Sequence, residues 1–350
     1  MDEETDGINL FINKQKPKIM KRMFISLVAL IAATMSFAQN TLVATLSHGD
    51  EIKMFYGAYA LRDAHNAAAN GDIINLSSGS FQSVKITKAL TIRGTGYDDP
   101  VHTTIVGNFW IEIPDTVTDR LSFEGCHIPN NIYVYGTLSN AYFLKNVIQG
   151  IYGGKINYTS NTNIINGTFV NCRVYGMELI GNSTVQFLNC EVASFSNNSE
   201  HTAAAAFINC NIRPKDGYYA GGIRSSQLIN CFIYNDVDNN NFDGFPATSS
   251  AYNCVAIGPN SGNIFNNMAV KQNCQTADFD IFQEGNPWND LTDEAKVKYI
   301  GTDGTPIGYY GGMMPFDLTP TYPQITKMNV ASKTTADGKL SVEIEVSAAE

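Results

Sequence analysis

Basic residues are few and unclustered after residue 22: the chain carries 23 Lys and Arg against 33 Asp and Glu, a formal charge of −10. That balance excludes a nucleic-acid partner and attraction to an anionic membrane surface. Charge of either sign is thin, at 16% of 350 residues, against about 25% in an ordinary domain. Gly, Asn, Ser and Thr fill the gap. No Cys-x-x-Cys pair and no His at metal-ligand spacing occurs, so zinc chemistry has no ligand set. The apolar run Phe24 to Ala33 is too short to span a bilayer. Matched carboxylates are missing too. Glu124, Glu178, Glu191, Glu200, Asp216, Asp236, Asp238 and Asp243 are scattered through the middle of the chain, without the pairing that glycoside hydrolysis needs.

What the chain does have is a column of Asn-Cys pairs. Phe169-Val170-Asn171-Cys172, Phe187-Leu188-Asn189-Cys190, Phe207-Ile208-Asn209-Cys210 and Leu228-Ile229-Asn230-Cys231 are followed by Asn253-Cys254 and Asn273-Cys274. The Asn positions step by 18, 20, 21, 23 and 20 residues. Two degraded copies precede them, Leu144-Lys145-Asn146-Val147 and Phe123-Glu124-Gly125-Cys126. A period near 21 is too short for paired helices and fits coils of short strands. An apolar residue, a variable one, Asn, Cys, a variable one and then Val or Ile reads as strand, one-residue corner, strand. Asn suits the corner because it tolerates the left-handed region, and Gly125 agrees. Each Cys then points inward with the Val or Ile two places on. The seven cysteines read as buried core thiols, since stacked Cβ atoms at the strand spacing lie too far apart for disulfides and an odd count leaves one over.

With Asn146, Asn171, Asn189, Asn209, Asn230, Asn253 and Asn273 read as one ladder, the chain resembles the right-handed parallel β-helices of the pectin-lyase-like superfamily over residues 55–312. The resemblance implies an all-β, right-handed parallel β-helix and leaves activity open, because the superfamily holds lyases, hydrolases, phage spikes and adhesins. The run Gly301-Thr302-Asp303-Gly304-Thr305-Pro306-Ile307-Gly308-Tyr309-Tyr310-Gly311-Gly312 resembles the C-terminal end of β-helices in uncharacterised secreted proteins of gut bacteria.

The ends follow. Met20 to Met23 is a basic n-region, Phe24 to Ala33 an apolar h-region, and Ser36-Phe37-Ala38 before Gln39 a small-x-small cleavage site. Residues 1–38 are therefore an upstream extension plus signal peptide, and the chain is expected to be exported: secreted, cell-surface or periplasmic. Residues 39–54 read as a lead-in. Tyr59 to Ala69 reads as an amphipathic helix capping the first coil, stopped by Asn70-Gly71, with His65 in a structural role. Residues 39–312 form the β-helix with its caps, including a short helix over Leu291 to Ile300. Residues 313–350 are a linker and a C-terminal hairpin tail turning at Asp337-Gly338.

Three places invite a functional reading. Tyr218, Tyr219 and Arg224 lie in the most charged and aromatic loop, suited to stacking on a sugar. Asp236, Asp238 and Asp243 form a loop able to take calcium, the one cofactor the sequence has a place for; it lacks the Gly and Glu of an EF-hand. Arg173 and Glu191, each after a column Cys, are expected as vertical neighbours forming a surface ion pair. The reading that follows is an exported, non-catalytic module binding an extracellular glycan or a cell-surface protein, with no membrane span after signal removal. The alternatives are a polysaccharide lyase or glycoside hydrolase acting from the loops, and a structural spacer.

Overall fold

The computed structural model describes residues 42–97, 102–153, 163–179, 181–193, 195–197, 203–213, 225–235, 245–259, 261–284, 290–321, 324–330, 338–339 and 342–347. The chain divides into two units, 1–41 and 42–350, and every described residue belongs to the second. The expected signal peptide therefore lies outside the described residues.

The second unit is a right-handed parallel β-solenoid. One long sheet stacks, among others, Ile73–Leu76, Thr91–Arg93, Ser122–Glu124, Tyr142–Leu144, Gly167–Val170, Thr184–Leu188, Ala204–Ile208 and Ser225–Ile229, each parallel to the next. A second stacks Thr103–Val106, His127–Val134, Val147–Gly153, Arg173–Val174, Glu191–Val192, Asn211–Ile212, Phe232–Tyr234 and Val255–Ile257. Period-2 alternation sends one side chain of each pair inward. The interior is filled by columns of like residues. Phe143 stacks on Phe169 at 4.6 Å and 3°, Phe169 on Phe187 at 4.9 Å, and Phe187 on Phe207 at 4.9 Å and 4°. All four rings are buried, and offset aromatic pairs of this kind add roughly 0.5–1.5 kcal/mol each beyond area burial.

The corner between the sheets is a single residue at positive φ. Asn171, Asn189, Asn209, Asn230, Asn253 and Asn273 all lie between +50° and +55°, and Gly125 is at +61°. One rung departs from the expected alignment. Its left-handed residue is Lys145, at +55°, and the register sets Leu144 opposite Val170 and Val147 opposite Arg173. Asn146 therefore belongs to the cysteine position, not to the asparagine corner. The hydrogen bonds give the reason. Cys172 Sγ donates to the carbonyl of Phe143, while Cys172 N–H donates to Cys190 Sγ. Asn146 repeats that pattern in amide form: Nδ2 donates to the carbonyl of Phe123 at 2.8 Å, and Oδ1 accepts from Cys126 N–H at 2.9 Å. The position requires a compact group that both accepts and donates, and a thiol or a carboxamide meets it.

The seven cysteines are free; six are buried, and Cys274, on the last rung, is partly exposed. Cys190, Cys210 and Cys231 each donate Sγ to two carbonyls, one on their own rung and one on the rung before. Burial pushes the Cys126 thiol up to about 12 and raises Cys190, Cys231 and Cys254 well above the usual thiol range. These groups are protonated and unreactive at neutral pH.

The lead-in is a structured cap rather than an approach segment. Val43–His48 and Glu51–Tyr56 form an antiparallel hairpin, and Val43–His48 pairs antiparallel with Ile73–Leu76 of the first coil. The capping helix runs Ala60–Ala67 and buries Ala60, Leu61, Ala64 and His65. Its C-terminal carbonyls are taken by one ammonium: Lys88 Nζ donates to His65, Asn66 and Ala68 at 2.6–3.0 Å. Burial, then Lys88, lowers the pKa of His65, whose Nε2 accepts from Thr87 N–H. The short C-terminal helix is Asp293–Lys298, with Thr292 accepting from Ala295 N–H as its N-cap. Gln324–Val330 and Val342–Ser347 pair antiparallel as the tail hairpin.

Candidate functional site

Two columns of outward-facing residues run up the second sheet, and they end in different surroundings. The first passes through His127, Val147, Arg173, Glu191, Asn211, Phe232, Val255 and Gln275. Most of it is covered. From Tyr299 the chain turns back along the corner ladder, against the stacking direction, as a strap. Asn253 Nδ2 donates to the carbonyl of Ile300 at 2.7 Å, and Asn230 Oδ1 accepts from Thr302 N–H at 3.1 Å. Asn211 Oδ1 accepts from Tyr309 N–H at 3.2 Å. Asn189 Nδ2 donates to the carbonyls of Tyr309 and Gly311 at 3.0 and 2.6 Å.

The glycines of the strap sit where it crosses these corners. A Cβ on Gly308 would lie 2.5 Å from Phe232 Cδ2, and one on Gly312 2.1 Å from Asn209 Nδ2; both residues have positive φ. Residues 313–321, read from sequence as a linker, carry the strap on to the early coils. Lys145 Nζ donates to Asp317 Oδ2 at 2.9 Å and to the carbonyl of Thr319 at 2.5 Å. Thr321 Oγ1 donates to Glu124 Oε1, and Pro320 lies against Gly96 and Gly125.

Beneath the strap the outward column becomes a second core. Phe232, Tyr234, Val255 and Ile257 pack with Phe282, Leu291, Ala295, Tyr299 and Ile307. Arg173 and Glu191 are vertical neighbours, with Nε to Oε2 at 2.6 Å, but the pair is not at the surface. Its side chains are 21% and 12% exposed, and the guanidinium lies 5.8 Å from the ring centroid of Phe316. Burial lowers the pKa of Arg173, and Glu191 more than reverses that. The pair is a structural latch beneath the strap.

The second column runs Lys85, Trp110, Tyr133, Tyr152, Glu178. No strap contact is found on it among the described residues. Phe109 and Ile111 flank Trp110 and are buried, as are Ile132 and Val134 around Tyr133; the pleat therefore turns Trp110, Tyr133 and Tyr135 outward. The Trp110 indole lies parallel to both tyrosines, 4.8 Å and 23° from Tyr133 and 5.6 Å and 24° from Tyr135. Tyr152 continues the column 6.2 Å from Tyr133. Asn131 Nδ2 donates to Tyr133 Oη at 3.2 Å. Burial, then Glu178, raises the Tyr152 phenol; burial, then Glu112, raises Tyr135. Both are neutral hydroxyls able to donate and accept. A Lys85–Glu112 ion pair at 2.6 Å borders the aromatic patch.

Sequence reading missed these aromatics because it followed each rung only two residues past the cysteine. The signal was there: Phe109-Trp110-Ile111 and Ile132-Tyr133-Val134-Tyr135 alternate with period 2. The residues it chose instead, Tyr218, Tyr219, Arg224, Asp236, Asp238 and Asp243, lie outside the described residues. Among the described residues no group of three or more His, Cys, Asp or Glu is placed to hold a metal ion. Clefts at Asp115–Leu138 and at Asn253–Tyr299 measure about 150 and 280 Å³, below the ~300–1,000 Å³ of enclosed small-molecule sites. No described helix is long and apolar enough to cross a membrane. The chain matches no protein-family model, no curated protein and no solved structure.

Proposed function

We propose that this chain is an exported, non-catalytic β-solenoid of the pectin-lyase-like kind that binds an extracellular glycan on the open aromatic column. The observation that carries this reading is the contiguous Trp110–Tyr133–Tyr135–Tyr152 surface on a rigid sheet. Its partly exposed rings offer apolar surface, and its rim offers phenol hydroxyls and the Asn131 amide. Sugars present the matching pattern of C–H patches and hydroxyls, and aromatic residues with a polar tip suit a half-wet contact. The column rises along the stack at one residue per coil, about 4.8 Å. It therefore favours a chain of sugars lying along the solenoid over a single ring in a pocket. Glu112 is engaged with Lys85, Glu191 with Arg173 and Glu124 with Arg93 and Thr321, which supports binding over glycosidic cleavage; Glu178, beside Tyr152, is the carboxylate of the open column itself. Export rests on the residues before Gln39.

The test is a glycan-array screen of the purified chain with and without calcium, followed by product analysis on every hit. Binding without product, lost in Trp110→Ala and Tyr133→Ala, is the expected result. Unsaturated or newly reducing products would replace this reading with a lyase or hydrolase built on the loops. Hits that survive both substitutions would move the site to the loop bearing Tyr218 and Tyr219.

A further inference from the structure

The hairpin that caps the first coil leaves one strand, Glu51–Tyr56, at the end of the twelve-stranded sheet, with a strand partner on one side only among the described residues. The side chains on its outer face are apolar and open to solvent: Ile52 is 69% exposed, Met54 57% and Tyr56 61%. They form one stripe, and the Tyr56 hydroxyl donates to Met54 Sδ at 3.5 Å. Folded proteins usually blunt such an edge with proline, a bulge or outward charge. This strand has no proline and its pairing with Val43–His48 is unbroken; its two charges, Glu51 and Lys53, are exposed on the face opposite the apolar stripe and lie 3.7 Å apart.

The backbone shows which groups are free. Gly57 N–H donates to the carbonyl of Leu42, so residues 42 and 57 face each other as a hydrogen-bonded pair. Hydrogen-bonded and non-hydrogen-bonded pairs alternate along an antiparallel ladder. Residues 55, 53 and 51 therefore turn their N–H and C=O groups toward Val43–His48. The Val43 carbonyl, which accepts from Ser77 N–H on the other side, fits the same alternation. Ile52, Met54 and Tyr56 are then the residues whose backbone groups point off the sheet. The same three residues carry the exposed apolar stripe.

We infer that this edge is a homodimer interface in which Glu51–Tyr56 pairs antiparallel with its own copy about a two-fold axis through Met54. In that register Met54 faces Met54 of the second copy, and Ile52 faces its Tyr56. Every one of these is a residue with free backbone groups, so two hydrogen bonds form at the centre and two at each flank. The apolar stripe becomes continuous across the axis, with Ile–Tyr and Met–Met cross-strand pairs. On the other face Lys53 meets Phe55 of the second copy, and Glu51 meets Gly57. Sliding the register by two residues one way would set Lys53 against Lys53; sliding it the other way would carry Ile52 past the strand end, opposite Ala58. A one-residue slide would set free backbone groups against groups already bonded. Self-complementary backbone and charge select a second copy over an unrelated strand, and the two-fold arrangement closes after one addition.

Sedimentation velocity of the full chain over a concentration series tests this. The expected result is a single discrete dimer. Met54→Pro removes only an outward N–H, and Met54→Lys sets like charges across the axis. Each is expected to weaken dimerisation by about 100-fold or more while the thermal unfolding midpoint of the solenoid is unchanged. If Met54→Pro proves unable to fold, Met54→Lys decides, since it alters only an exposed side chain. A chain that stays monomeric across the series, a ladder of species growing beyond the dimer, or a dimer indifferent to Met54→Lys would each overturn the inference.

Discussion

Trp110 and Arg173 occupy the same kind of position, an outward residue on a short strand of the second sheet, with buried neighbours on the inner face. Arg173 lies under Phe316 of the strap, and its column goes on to a second apolar core. Trp110 stacks with Tyr133 and Tyr135, is registered beside Lys85 and stays partly exposed. The pleat decides that a side chain leaves the interior; it does not decide whether that side chain reaches water. A strap of some twenty residues makes that decision here. It converts one outward column into structure and leaves its neighbour available to a ligand.

The largest expected effect comes from forcing the covered column open. Gly312→Val adds a Cβ 2.1 Å from Asn209 Nδ2 at a positive φ. It is expected to destabilise the solenoid by about 3 kcal/mol, as strain and overpacking combine. Denaturant midpoints measure this. Hydrogen exchange is expected to rise at the Asn189 and Asn209 corners while Trp110 and Tyr133 keep their protection. Loss of protection along the aromatic column as well would show that the two columns are not independent.

A substitution in the cysteine column comes next. Asn146→Ala strips a donor and an acceptor from the buried site shared with Cys126 and Phe123. A cost of about 1–3 kcal/mol is expected. Asn146→Cys restores the two-way bonding of its column neighbours and is expected to cost under ~1 kcal/mol. Equal costs for the two would remove the claim that thiol and carboxamide are interchangeable there.

Acid is expected to loosen the strap's far end before the coils. Burial raises the carboxyls of Asp303 and Asp317, but bonds from Thr305 and Asn209 to the first, and from Thr319 and Lys145 to the second, bring both below the ordinary range. A depressed carboxylate contributes stability above its unfolded value, near 3.9, and loses it as pH falls through the folded value. Strap protection is therefore expected to hold at pH 5–7 and to fall below about pH 4, less steeply in high salt because Asp317 is half exposed. Exchange of the Thr319 and Thr321 amides against pH reads this out. Protection that falls on raising pH from 5 to 7 would contradict the sign.

Much of the solenoid was legible because its corner admits so few residues. A one-residue left-handed turn selects Asn or Gly, and the compact site after it selects Cys, so residue identity carried the repeat from Gly125 to Cys274. Lys145 broke the rule unannounced. Its left-handed conformation goes with contacts to Asp317 and Thr319, 172 and 174 residues away, and Asn146 beside it invited a one-residue misalignment. The glycines of the strap were visible as a string, but the cause of three of them is tertiary: Gly301, Gly308 and Gly312 lie against asparagine or aromatic side chains of distant coils. The aromatic column needed only a second alternation to be followed past the first. The capping helix was legible from its pattern; the hairpin before it was missed although Gly49-Asp50, between two six-residue runs, is a two-residue turn signal.

The smallest expected change in stability carries the largest functional weight. Trp110→Ala removes stacking worth roughly 0.5–1.5 kcal/mol per pair at a half-exposed site and is expected to leave the fold intact. The most direct measurement compares glycan binding by the unaltered chain, by Trp110→Ala and by Phe316→Ala, which alters the strap over Arg173 without touching the open column. The account predicts affinity reduced about tenfold or more, ~1.4 kcal/mol, in Trp110→Ala and unchanged in Phe316→Ala. Binding that is lost in Phe316→Ala and retained in Trp110→Ala would place the ligand on the covered column and contradict the assignment of the two faces.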